Sequence, residues 1–278
     1  MRVGPTGRRP GPRQAALLVL VCLGLCVTAG LALQRADLLR GIVGTEILCL
    51  LAPLAAALAL GRYTVSGTLS LRWPGWRTMG LAVWIAPAAA ILAGQIFWLQ
   101  SLLMPPPDWY LEILDRLAER GRTENLALGV LGLCVLPALC EEGVFRGFVL
   151  SGLEGPLGPA KAVWLSALFF SLLHVDLYRF TAVFGLGALL GFLVVTSRSV
   201  YPAIAVHALN NLLVLAPPSW PERIGAPWLV GNERAPLLWM GVGVAVLAVG
   251  CGALRRVSTA SSGSAGGDGW AVGEGRAH

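Results

Sequence analysis

Hydrophobic residues occupy long, nearly uninterrupted blocks of this chain, and most charged residues collect in the short stretches between them. A helix rising 1.5 Å per residue needs about 20 mainly apolar residues to cross a bilayer. Runs of that kind occur near 14–34, 42–61, 80–104, 126–150, 160–176, 180–197, 200–216 and 236–254. Only the polar patch Asp176 to Arg179 separates the short fifth run from the sixth, so seven helices is an alternative count. The pattern predicts an all-α, polytopic membrane protein of about eight transmembrane helices around a buried cavity. Arg8, Arg9 and Arg13 precede the first run as in a secretory signal. That run is longer than the usual apolar region of about 7–15 residues and lacks an A-x-A site, so it reads as a retained helix. Between the third and fourth runs, 108–120 (DWYLEILDRLAER) spaces its apolar residues at helical intervals and predicts an amphipathic helix along the membrane surface. The organisation that follows is a basic N-terminus (1–13), N-terminal helices with an acidic loop (14–124), a core (125–216), a loop with the last helix (217–257), and a Gly/Ser/Ala-rich tail expected to be disordered (258–278).

Composition sharpens the class. The chain is 56% hydrophobic and only 13% charged, whereas a soluble domain carries about 25% charged residues. Its formal charge of +6 raises the question of a nucleic-acid partner, but the arginines are scattered singly rather than gathered into a stripe, so none is expected. The expected surroundings are the lipid bilayer. Lys161 is the only lysine, a bias suggestive of GC-rich coding and a bacterial cell membrane. The six cysteines lie in or beside apolar runs with no CxxC and no zinc-type Cys/His spacing, and read as small buried hydrophobes. Arginines at 2, 8, 9 and 13, at 62, 72 and 77, and at 255 and 256 fall on one side of an eight-span protein. Asp108, Glu112, Asp115, Glu119 and Glu124 fall on the other. The positive-inside rule then places both termini in the cytoplasm.

Charges inside the apolar runs carry the candidate chemistry. Glu141, Glu142 and Arg146 lie in the fourth run, where an ionisable group costs roughly 2.5–3.5 kcal/mol on insertion scales and normally marks function. Residues four apart share a helix face, so Glu142 reaches Arg146. Glu141, about 100° around the helix, is left free to act as a base. Phe170 and His174 share a face of the fifth run; His207 and Asn211, with Asn210 nearby, share one in the seventh. An imidazole and a carboxamide together can hold water or an oxyanion. Each group also has a structural reading as an interhelical polar contact. Together they form a hydrolytic centre drawn from three helices, with Pro137 and Pro202 loosening the backbone nearby. A proton-coupled transporter using the same Glu/His/Arg cluster, and a non-catalytic scaffold, are the alternatives.

The segment EEGVFR (141–146) resembles the E-E-x-x-x-R motif of the type II CAAX prenyl endopeptidase family, also called the Abi or CPBP family. Phe170 to His174 matches its F-x-x-x-H motif and His207 to Asn211 its H-x-x-x-N motif, over about residues 125–215. The resemblance implies an eight-helix intramembrane endopeptidase acting on a membrane-associated peptide or protein, with a prenylated CAAX tail among the possible substrates. Glu141 would be the general base aided by His174, His207 and Asn211 would hold the oxyanion, and Glu142, Arg146 and Phe170 would support the site. Members of the family have been described both as metalloproteases and as glutamate proteases. Zinc, if used, would take Glu141, His174 and His207 plus a water. The absence of H-E-x-x-H, and an Asn that suits an oxyanion better than zinc, favour no metal cofactor. One expectation conflicts with this site. If helix four ends near 150, Glu141 and His174 sit at depths differing by roughly 10–15 Å in a core of about 30 Å.

Overall fold

The computed structural model describes residues 8–123, 125–215 and 234–264. Arg2, Glu124, residues 217–233 of the expected loop, and residues 265–278 of the tail, including His278, lie outside them. Each of the eight apolar runs forms a helix. In chain order these are α1 (Pro12–Ala36), α2 (Leu38–Gly61), α3 (Trp76–Leu103), the amphipathic α4 (Asp108–Thr123), α5 (Leu126–Leu157), α6 (Pro159–Leu173), α7 (Phe180–Ser197), α8 (Tyr201–Val214) and α9 (Leu237–Ser264). The described residues contain no strand. Among the described residues six helices are long and apolar enough to span a membrane; α6, with 15 residues, and α8, with 14, are shorter than the expected full spans. His207 lies within α8, and His174 caps the C-terminal end of α6.

The expected boundaries change in two places. Helix α5 runs to Leu157 rather than 150, with Pro156 in its last turn. Helix α9 runs to Ser264, so residues 258–264 are helical and not part of a disordered tail. Extending an existing helix costs far less than nucleating one, which lets a Ser/Thr/Ala stretch of modest propensity continue it. Three helices also widen locally, α1 over Cys26–Gly30, α2 over Glu46–Leu51, and α5 over Leu131–Val135 and again over Gly143–Val149. Pro53 and Pro137 come two residues after the α2 widening and the first α5 widening. A proline has no N–H for the carbonyl four residues back and its ring crowds that carbonyl, so a wider turn relieves both faults.

The core gathers around Phe145, Phe148, Phe170, Leu190, Leu193 and Val206, all nearly inaccessible. Outward faces remain apolar, with Leu60 85% and Leu103 88% exposed, as an integral membrane protein requires of surfaces that meet lipid. The two ends of the bundle differ in charge. Arg9, Arg72, Glu154 and Arg198 surround one cavity, and Arg255 stacks on Phe192 5.0 Å away at the same end. Both the first and the last described segments therefore reach this basic end. At the other end, Gln100 of α3 binds Leu177 and Thr181, while Tyr110 of α4 donates to Asp176 at 2.7 Å.

Candidate active site

Helix α5 turns back into α6 at Gly158, whose φ of +76° and ψ of 162° belong to a region that essentially only glycine occupies. Measured from this turn, Glu141 lies about 25 Å back along α5 and His174 about 24 Å forward along α6. The depth conflict disappears because α5 extends seven residues past its expected end at 150, to Leu157. Glu141 Oε2 and His174 Nε2 are 3.9 Å apart, and His207 Nε2 on α8 is 3.7 Å from the same oxygen.

Glu142 forms the other half of the cluster. Its Oε1 accepts from Arg146 Nη1 at 3.0 Å, as the four-residue spacing predicts, and also lies 2.9 Å from His207 Nδ1. Glu142 and Arg146 are almost wholly inaccessible, at 0% and 1% exposure. Arg146 Nη2 donates to the Gly187 carbonyl at 3.0 Å, and its guanidinium sits 4.2 Å from the centre of the Phe170 ring. A Cβ at Gly187 would lie 3.1 Å from Nη2, so a glycine there admits the arginine. Ser166 donates to the Phe145 carbonyl at 2.9 Å, inside the widened stretch of α5 that carries Arg146.

Phe170 is the hub of the apolar side. Its ring packs edge-on against Phe145, His174 and His207, with centroids 5.3, 4.7 and 5.9 Å away. Its carbonyl lies 2.8 Å from His174 Nδ1. That contact requires a proton on Nδ1, and in the neutral ring it leaves Nε2 as an acceptor facing Glu141. Glu141 Oε2 is buried without a hydrogen-bond partner.

Asn211 lies one turn beyond His207 but joins neither carboxylate. Its Oδ1 accepts from Asn210 Nδ2 at 3.4 Å. Two residues of the neighbourhood escaped sequence reasoning. Glu46 is 6% exposed, has an unpartnered buried oxygen, and sits in the widened part of α2 that packs beside the Glu141 stretch. Lying alone in the second apolar run, it satisfies the same rule that singled out Glu141. Asp176 anchors the turn after His174, accepting from the backbone N–H groups of Tyr178 and Arg179, from Arg179 Nε and from Tyr110. Burial works against its charge, but Arg179 and these hydrogen bonds prevail and hold its carboxyl below its ordinary range. Burial, with smaller help from Asp176, raises the Tyr110 phenol. Val175, between His174 and Asp176, adopts φ +49°, which a β-branched residue rarely does.

Residues 123–213 match a family model described as type II CAAX prenyl endopeptidase Rce1-like. This segment is similar to that family. The match spans all three motifs and is to the family that they resemble. No curated protein and no solved structure matches the chain. In the Rce1-like segment, no group of three or more His, Cys, Asp or Glu side chains among the described residues is arranged to hold a metal ion.

Proposed function

We propose that the protein is an intramembrane endopeptidase that hydrolyses a peptide bond of a membrane-associated substrate, a prenylated CAAX tail being one candidate. The observation carrying this reading is the convergence of Glu141 Oε2 with the Nε2 atoms of His174 and His207 at 3.9 and 3.7 Å. A water held between Glu141 and His174 finds an acceptor for each of its protons, which leaves an oxygen lone pair for the substrate carbonyl. Glu141 takes one proton as the oxygen–carbon bond forms, then passes it to the amine nitrogen as the carbon–nitrogen bond breaks. His207 is oriented through Nδ1 by Glu142 and, when its ring carries both protons, donates from Nε2 to the oxyanion. Asn211 accepts from Asn210 through its oxygen and so keeps its amide N–H groups available to the same oxyanion. Arg146 holds Glu142, and no step is routed through a metal.

The test is cleavage of a quenched fluorescent peptide panel that includes a prenylated CAAX peptide. Detergent-purified wild type and Glu141→Ala are compared, each with and without a strong chelator. Cleavage by the wild type, unaffected by chelator and lost in the variant, is expected. Full activity in Glu141→Ala would overturn the mechanism, and loss on chelation would overturn its independence of metal.

A further inference from the structure

At the basic end of the bundle a cavity of about 190 Å3 opens between the segment before α1, the loop after α2 and the ends of α5 and α7. Arg9, Arg72, Arg146 and Arg198 line it with a single carboxylate, Glu154. Glu154 pairs with Arg198 at 2.5 Å and Glu142 with Arg146 at 3.0 Å. Arg9 and Arg72 have no ion-pair partner among the described residues, so the lining carries uncompensated positive charge. Among the lining residues two buried polar atoms lack a hydrogen-bond partner, Ser151 Oγ and Arg146 Nε. Both can donate, and leaving a buried donor unpaired is costly, so the cavity calls for an acceptor.

The backbone points to the same place. Ser70 and Arg198, with φ of +53° and +54°, are strained non-glycine residues, and both line the cavity. The Ser70 carbonyl is fixed by the N–H groups of Val200 at 3.1 Å and Arg72 at 2.8 Å. Strain held by surrounding structure gathers at ligand-binding positions. A planar carboxylate offers two oxygens, whereas a phosphate offers acceptors in several directions, matching the exposed arginines and the two unpaired donors of this lining. We propose that this cavity binds a phosphate oxyanion, delivered either as free phosphate or as the headgroup of an anionic lipid from the adjoining leaflet. The cavity shares Arg146 with the Glu142 cluster, but the proposal does not rest on the peptidase reading.

The experiment uses the full chain. Detergent-purified protein is titrated with inorganic phosphate against chloride at matched ionic strength. The protein is also reconstituted in phosphatidylcholine bilayers with and without phosphatidylglycerol, and its thermal unfolding is followed. The test variant is Arg9→Gln/Arg72→Gln, in which both side chains are exposed and their loss does not threaten folding. The control is Arg35→Gln/Arg40→Gln, which removes the same charge from exposed positions outside the cavity lining. Wild-type phosphate binding weakened about tenfold in the test variant and unchanged in the control identifies the oxyanion itself as ligand. Protection by phosphatidylglycerol alone, with the same dependence on Arg9 and Arg72, identifies the headgroup. Failure of both ligands to bind, or equal loss in both variants, overturns the proposal.

Discussion

Glu142 accepts from Arg146 and His207 through one oxygen, so it serves as the electrostatic floor of the cluster, while the neighbouring Glu141 keeps a buried oxygen with no protein partner. The two carboxylates should therefore fail differently when replaced. Glu141→Gln keeps shape and loses basicity, so activity is expected to fall by about 10²–10⁴-fold with thermal unfolding unchanged. Glu142→Ala strands a buried guanidinium, and Arg146→Ala strands a carboxylate. Removing one partner of a buried pair typically costs about 3–5 kcal/mol, so both variants should show lower thermal midpoints and lower membrane yields than Glu141→Gln. Replacing Glu142 and Arg146 together should cost less than the sum of the two single changes, which a double-mutant cycle measures.

The α5–α6 hairpin sets the depth of the site. Gly158 fixes where the chain reverses, and a Cβ there meets nothing within 4 Å. Gly158→Ala should therefore cost only its backbone strain, about 1–3 kcal/mol, seen as a lower unfolding midpoint. At the far end of α6 the Asp176 hub holds the turn that follows His174. Its carboxyl titrates below its ordinary value, so its stabilisation is fully present above the unfolded-state value and is lost as pH falls through the folded-state one. The difference in midpoint between wild type and Asp176→Asn should be present at neutral pH and close on acidification, as a melting series across pH would show.

For the whole molecule, charge asymmetry and topology agree. The segment before α1 and the end of α9 reach the same basic end, while α4, with its acidic residues, packs near Asp176 at the other. Tags at the two termini should thus be digested together from one side of sealed vesicles and protected together from the other. From the positive-inside rule, the side on which both are digested is expected to be the cytoplasmic one. Opposite accessibility of the two tags would contradict this arrangement.

The sequence by itself determined the elements and the faces they present. Apolar runs long enough for a bilayer specified the helices, and four-residue spacing alone paired Glu142 with Arg146 and aligned Phe170 with His174, because helical periodicity is local. Its reading of α5 stopped at 150 because Ser151, Glu154 and Pro156 interrupt the apolar pattern. The helix nevertheless continues, and that extension brings Glu141 level with His174. Only the tertiary structure decided that His207 shares Glu142 with Arg146, that Asn211 turns to Asn210, and that Glu46 and Asp176 belong to the neighbourhood. Those contacts join residues on different helices, and their distances depend on how the helices pack, which no local pattern encodes.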